Sequence, residues 1–210
     1  MILQVLRIIS NELELFLDSF SGDAPDEQRV VIGNIAFHDI DKYFPNSNES
    51  SLDDKIVISL VRVQEESSLK NTPHYTASAD NSSTVYSNPP VFVNLYLLMS
   101  FNSLNYENAL TYLSRTVRFF QSKKIFTHKN TQDINGTLNE RDKVDSFKIL
   151  IDLYSPGSEE ANQLWGMLGG KQLPYVMYKM RVLELKLQRK QDERGVIKQI
   201  DISDENLAEI

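Results

Sequence analysis

The sequence predicts an α/β fold of the α+β type: a single domain whose mixed, mostly antiparallel β-sheet is packed by about three helices, plus a C-terminal arm. Two observations predict it. Three runs at 55–64, 91–101 and 146–154 are rich in β-branched and other apolar residues, as buried strands are. Two further segments, at 2–20 and 105–123, repeat apolar residues every three or four positions, which is the period of one helix face.

The N-terminal segment predicts an amphipathic helix. Glu12, Glu14 and Asp18 interrupt its apolar run, which also lacks the basic start and the small-residue cleavage site of a signal peptide. No stretch reaches the roughly 18 apolar residues that cross a bilayer, so we expect a soluble protein. The expected buried face comprises Ile2, Leu6, Ile9, Leu13, Phe16 and Phe20.

Irregular chain and strands follow this helix. We expect a short strand at 29–33 and irregular structure at 34–54. VFVNLYLLMSF at 91–101 is apolar on both faces, which predicts a central strand. The Ser-, Asn- and Thr-rich segment 65–90 before it is either a mobile loop or a hairpin around Tyr75.

Residues 105–123 give the clearest helix signal, with Asn105 as the expected N-cap. Arg115 and Arg118, with Lys123 just beyond, put positive charge on its exposed side and C-terminal end. These cations either compensate the helix dipole on a solvated face or bind an acidic partner surface. The expected apolar stripe comprises Tyr106, Ala109, Leu110, Leu113, Val117 and Phe120.

A short helix and a long strand close the core. We expect Ser158 to cap a helix that holds Trp165 and stops at Gly169, which takes left-handed dihedral angles. Pro174 then opens a strand at 175–187. Trp165 and Tyr175 are either core residues or part of a partner-binding hot spot.

The last strand shifts its apolar phase between Val182 and Leu183, which predicts a bulge or a change of partner sheet. We therefore place the core domain at 1–188 and a C-terminal arm or tail at 189–210, beginning with a charged linker. The alternating segment VIKQIDI in this arm is either a disordered tail or a strand that adds to an exposed sheet edge of a neighbour. Its candidate partner-binding residues are Val196, Ile197, Ile200 and Ile202.

Composition and motifs argue against several functional classes. The chain has 210 residues, no cysteine and a formal net charge of −7. The acidic balance disfavours nucleic-acid binding, and the lack of cysteine excludes a thiol nucleophile and a disulfide framework. No phosphate-binding loop, nucleophile elbow or zinc-protease motif occurs. HDID at 38–41 offers only one histidine and two carboxylates, so we expect no metal site there. Since no catalytic or cofactor-binding motif occurs, we also expect no cofactor and no catalytic residue.

Residues 164–179 carry the pattern L-W-x-x-L-G-G-K-x-L-P-x-x-x-Y-K. This pattern resembles the signature of tail-terminator (cap) proteins of extracellular contractile injection systems, of the virulence-cassette and antifeeding-prophage type. The opening helix, with I-x-x-V-L-x-x-I-x-x-E-L at 2–13, and the segments at 30–36, 56–71, 93–110 and 118–126 fall in the order that such caps have. Tyr175 departs from the pattern, which has a small residue after the proline.

The resemblance implies a structural protein, not an enzyme. It implies a hexameric ring at the end of the tail away from the baseplate, where it caps the inner tube and the sheath, stops their polymerisation and helps to fix particle length. The implied partners are the inner-tube protein, the sheath protein and further copies of the chain, with no nucleic acid and no direct membrane contact. In the implied arrangement the core binds the last tube ring and the arm engages the sheath.

The same resemblance implies assembly in the bacterial cytoplasm, followed by release within an extracellular or envelope-tethered particle. The alternative is a soluble adaptor that tethers the particle to a cell envelope or recruits a payload without ending the tail. Tail length in the absence of the protein distinguishes the two, because only a terminator stops polymerisation.

Overall fold

A computed structural model of the protein describes residues 2–20, 28–37, 52–66, 75–77, 83–86, 92–132, 147–169, 171–182 and 192–195. The chain divides into two compact units. The first comprises Met1–Glu66 and Phe92–Leu185, and the second comprises Ser67–Val91 and Lys186–Ile210.

Helices and strands lie close to the expected positions. In chain order they are α1 (Ile2–Asp18), β1 (Val30–Ile32), a 3-10 turn (Ile35–Phe37), β2 (Lys55–Glu65), β3 (Tyr75–Ala77), β4 (Ser83–Tyr86), β5 (Val93–Asn102), α2 (Tyr106–Ser122), β6 (Ile125–Thr127), β7 (Lys148–Tyr154), α3 (Ser158–Met167), β8 (Tyr175–Val182) and β9 (Asp192–Gly195).

A six-stranded sheet in the order β1-β2-β5-β8-β7-β6 organises the first unit. β1 runs parallel to β2, and the other neighbouring pairs are antiparallel. β5 lies between β2 and β8 and is buried over residues 94–101, which confirms the prediction of a central strand. The mixed, mostly antiparallel sheet with three helices confirms the predicted fold class.

The helices cover the two faces of this sheet unequally. α1 and α2 pack on one face, where they form the main core with alternate residues of the strands. α3 and the 3-10 turn pack on the other face. There Leu164 and Trp165 meet Val57, Leu98 and Met177 in a second, smaller core. Both faces of the central strands are therefore buried, which explains their continuous apolar sequence.

The buried side of α2 is rotated from the expected stripe, and the buried side of α1 is wider than expected. In α2 the buried residues are Ala109, Thr116, Phe119 and Phe120, whereas Tyr106 is 65% exposed. The reason is that α2 contacts α1 as well as the sheet: the rings of Phe16 and Phe119 lie 5.2 Å apart. The buried set of α1 is likewise wider than one stripe and includes Val5, Ile8 and Leu17.

Capping was predicted correctly at two of three helix ends. Asn105 is the N-cap of α2, and its side-chain oxygen accepts a hydrogen bond from the Glu107 amide at 3.0 Å. Gly169 has φ +104° at the end of α3, as a glycine stop requires. The prediction for Ser158 was wrong: Gly157 is the N-cap and provides no side-chain bond.

β2 contains a register shift that the sequence did not indicate. β2 is irregular between Leu60 and Arg62 where it pairs with β5. The register of β8 with both neighbours is continuous over the described range Tyr175–Val182. The phase change expected between residues 182 and 183 extends beyond the described residues.

The second unit contains a three-stranded antiparallel sheet in the order β3-β4-β9. The β3–β4 pair, with Tyr75 opposite Tyr86, realises the hairpin alternative for segment 65–90. β9 pairs with β4 from Ser83 opposite Gly195 to Tyr86 opposite Asp192. The charged linker expected at 189–195 is therefore in part a strand, and the division into 1–188 and 189–210 stays a prediction.

Candidate protein-binding surfaces

Two arginines and a phenylalanine form one surface where α1 ends. The guanidinium carbons of Arg115 and Arg118 lie 5.2 and 5.7 Å from the ring centroid of Phe20, within cation–π range. Phe20 is 39% exposed, Arg118 is exposed and Arg115 is half-buried. We call Phe20, Arg115 and Arg118 the arginine patch. The sequence indicated the two arginines but placed Phe20 in the core.

Lys123 belongs to a separate site inside the fold. Its ammonium lies 2.6 Å from a carboxylate oxygen of Glu12 and donates to the Asn130 carbonyl at 2.6 Å. The other oxygen of Glu12 accepts a hydrogen bond from the Gln132 amide at 2.8 Å. The structure therefore does not group Lys123 with the arginine patch, because its charge is already engaged within the chain.

Trp165 and Tyr175 lie together at the corner between α3 and β8. Their ring centroids are 5.3 Å apart with an edge-to-face angle of 66°. Trp165 is 5% exposed, and its buried indole N–H finds no hydrogen-bond acceptor among the described residues. This geometry makes Trp165 a core residue in the first unit. A role for the pair in binding a partner stays a prediction.

A polar and aromatic cluster that the sequence did not reveal lies on the sheet face that carries α3. The cations of Arg62 and Lys179 lie 5.5 and 5.9 Å from the ring centroid of Tyr96. The ring of Tyr154 meets the same ring edge-to-face at 5.1 Å. Tyr154 also donates a hydrogen bond to the Glu160 carboxylate at 2.8 Å, and this bond raises the pKa of Tyr154.

The edge of β2 beyond the end of β1 is a further surface, which the sequence did not indicate. β1 pairs only with Ile56–Ile58, and among the described residues of the first unit no strand lies beside residues 60–64 on the side away from β5. Leu60, Val63 and Met167 are 37%, 50% and 78% exposed there. The lengths of the two apolar runs, 29–33 against 55–64, are the sequence signal that could have indicated this unmatched edge.

A groove of about 370 Å³ adjoins this edge, a size within the usual range of ligand-binding clefts. Apolar side chains from the sheet, α1 and α3 make up most of its wall. Its lining residues include Leu6, Ile32, Leu60, Leu98, Leu164 and Met167.

The candidate partner-binding residues of the C-terminal arm lie outside the described residues: Val196, Ile197, Ile200 and Ile202. HDID at 38–41, where we expected no metal site, also lies outside them. Among the residues that the structure describes, no three His, Asp or Glu side chains group as a metal site would require. In the same part of the chain, no helix has the length and apolar character needed to cross a membrane.

Comparison with solved structures finds a similar fold in a sheath/tube terminator and in a tube-terminating cap. One is described as the sheath/tube terminator of an extracellular contractile injection system, PVC, in the extended state, with a TM-score of 0.59 and 12% identity. The other is described as the tube-terminating cap of the anti-feeding prophage, with a TM-score of 0.50 and 13% identity.

The shared region covers nearly all of this chain. The first match covers 100% of it and 65% of the solved chain, and the second covers 93% and 60%. This chain therefore spans less than two thirds of either solved chain. No curated protein matches the sequence.

A family profile matches most of the sequence directly. The profile describes the Pvc16 N-terminal domain and aligns with residues 4–199, which include both helical layers and the whole six-stranded sheet. The match agrees with the resemblance to tail terminators that residues 164–179 indicate. The chain belongs to the Pvc16 N-terminal domain family.

Proposed function

We propose that this chain is the tail terminator of a contractile, phage-tail-like injection particle. Six copies form a ring at the end away from the baseplate, cap the inner tube and the sheath, stop their polymerisation and help to fix particle length. The observation that carries the proposal is the family match over residues 4–199. The fold shared with a sheath/tube terminator and with a tube-terminating cap supports it.

The need for such a protein follows from how tubes grow. A tube subunit has two complementary faces, so stacking can continue without limit. A terminator must match the exposed face of the last ring without presenting a new copy of that face. This role is structural, and we propose no catalytic step for the chain.

The arginine patch is our candidate contact with the tube or the sheath. The chain is acidic, with a formal net charge of −7, so two arginines held beside one ring form a local exception to its overall charge. Such a patch attracts an acidic partner surface and orients it during docking. Lys123 is not part of this contact, because Glu12 already holds its ammonium.

The proposed partners are the inner-tube protein, the sheath protein and other copies of this chain. Assembly takes place in the bacterial cytoplasm, and the finished particle acts outside the cell. The proposal includes no direct contact with nucleic acid or membrane.

Imaging of particles that carry a tagged copy of the chain tests the proposal. We expect six tags per particle, all at the end opposite the baseplate. Tags at the baseplate, or distributed along the sheath, would contradict a terminator. A control particle with the same tag on the sheath protein should be labelled along its whole length.

A further inference from the structure

The edge of β2 has backbone groups that an added strand could pair with. The Ile56 amide donates to the Arg29 carbonyl at 2.7 Å, and the Gly33 amide donates to the Ile58 carbonyl at 3.1 Å, so alternate residues of β2 point away from β5. After the irregularity at residues 60–62, the backbone amide of Glu66 donates a hydrogen bond to the carbonyl of Phe92, the residue before β5, at 2.9 Å, so Glu66 points its amide toward β5. By alternation, Val63 then points its amide and carbonyl outward.

The side chains at this edge suit an extended apolar segment. Leu60 and Val63 belong to the face that α1 and α2 cover, yet they are 37% and 50% exposed because β1 ends before it reaches them. An exposed edge with apolar side chains is normally covered or paired in native proteins. The adjoining groove offers space for one of the side chains of an added strand.

The chain itself contains a segment that matches this edge. In VIKQIDI at 196–202, an antiparallel alignment that places Ile200 opposite Val63 also places Asp201 opposite Arg62. The same alignment places Lys198 opposite Glu65. Opposite charges directly across a strand pair stabilise the pairing.

Other alignments lose this agreement. A shift by one residue places Ile200 opposite Arg62 or Gln64 and turns the apolar side chains to the other face. A shift by two residues separates both charge pairs. A parallel alignment with Asp201 at Glu65 brings like charges together. The sequence and the edge therefore favour one antiparallel register.

We infer that residues 196–202 of a neighbouring copy add as an antiparallel strand to the β2 edge, with Ile200 opposite Val63 and Asp201 opposite Arg62. In this register Ile202 points toward Leu60 and the groove. An arm that binds the next copy is a head-to-tail contact, which closes into a ring when the rotation fits. The inference rests on the proposed ring and names the contact that holds its copies together.

Disulfide trapping tests this pairing, since the chain contains no cysteine. The register places Gln64 opposite Gln199 at a non-hydrogen-bonded pair, where the Cα atoms of paired strands lie about 4.5 Å apart, close enough for a disulfide. One Q64C copy and one Q199C copy are produced together in particle-forming cells, and the purified particles are oxidised. The matched control combines Q64C with I200C, whose side chain lies on the opposite face.

We expect a disulfide-linked dimer of the chain with Q64C and Q199C, and loss of that dimer with the control pair. Particles that contain both variants but give no dimer would overturn the inference and leave the terminator proposal intact. A Q199C link to the sheath protein would also overturn it. Absence of the chain from the particles would instead contradict the proposed function.

A charge exchange distinguishes a contact between copies from one within a copy. E65K and K198E each place like charges opposite each other, and each alone should reduce the incorporation of the chain into particles. Together in one cell the two variants should restore incorporation, because each arm then meets an opposite charge on its neighbour. If the mixture fails while the double variant E65K/K198E succeeds, the contact lies within one copy and the inference is wrong.

Discussion

Lys123 and Glu12 form an ion pair, with 2.6 Å between the ammonium nitrogen and the carboxylate oxygen, across 111 positions of sequence. The pair joins α1 to the end of α2. Both side chains are largely covered, at 26% and 11% exposure. Glu12 also accepts a hydrogen bond from the Gln132 amide, so its carboxylate positions the turn after β6.

Removal of this ion pair should destabilise the fold. K123A leaves Glu12 partly buried without its cation, and charged hydrogen bonds of this kind contribute about 1.5–3 kcal/mol. We expect the free energy of unfolding to fall by about 1–2 kcal/mol, since the pair is not fully buried. The fluorescence of Trp165, the chain's single tryptophan, reports unfolding in urea. K124A, at the adjacent exposed lysine, should leave the free energy of unfolding unchanged.

Gly169 and Gly166 give a matched pair of substitutions near the end of α3. G169A should destabilise the protein by about 1–2 kcal/mol, because φ at this position is +104° and a Cβ there strains the backbone. G166A should stabilise it by about 0.5–1 kcal/mol, because Gly166 lies within the helix. A Cβ at either position meets no atom within 4 Å, so both effects are conformational. Equal effects in thermal unfolding would contradict this account.

Tyr178 should make stability depend on alkaline pH. Burial raises its pKa to about 12, whereas the phenol titrates near pH 10 when the chain is unfolded. Between these values the unfolded chain has lost this proton and the folded chain has kept it, so stability falls as pH rises. The contribution of Tyr178 is at most about 1.4 kcal/mol per pH unit and is constant below pH 10.

Y178F measures this contribution. Its free energy of unfolding should fall less steeply than that of the native chain over that pH range. Y106F, which removes a phenol that is 65% exposed, is the control for the loss of a hydroxyl group. The same slope in Y178F and the native chain would show that Tyr178 does not titrate on unfolding.

Reversal of charge in the arginine patch should impair assembly without unfolding the chain. R115E/R118E replaces the half-buried cation of Arg115 and the exposed cation of Arg118 with anions. We expect fewer particles to contain the chain, because an acidic partner is then repelled. R7E, at an exposed arginine of α1 outside the patch, is the matched control. Immunoblots of purified particles measure incorporation. Normal incorporation of R115E/R118E would remove the patch from the binding surface.

The sequence predicted the elements well because local signals determine them. The apolar run at 91–101 indicated a central strand, and Asn105 indicated a helix start, since both depend on nearby residues. The placement of Phe20 and Lys123 could not be predicted in this way. Phe20, just after α1, contacts Arg115 of α2, and Lys123, just after α2, pairs with Glu12 of α1. The periodicity of a single helix does not indicate contacts of this kind.

The candidate surfaces were harder to predict for the same reason. Arg115 and Arg118 were recognised from charge, but the ring that they share, Phe20, lies in the turn after α1. Among the described residues of the first unit, part of the β2 edge has no neighbouring strand because β1 is shorter than β2, and the two lie about 25 residues apart in sequence. Parallel neighbours are not joined by a short turn, so sequence order alone did not indicate that β1 and β2 pair.

The distribution of tail lengths in cells that lack this chain tests the central claim most directly. Tails in electron micrographs should be absent or abnormal in length when the chain is missing, because nothing then matches and closes the last tube ring. Expression of the native chain from a second copy should restore the original length distribution. Tails of normal length without the chain would contradict termination and would favour an adaptor.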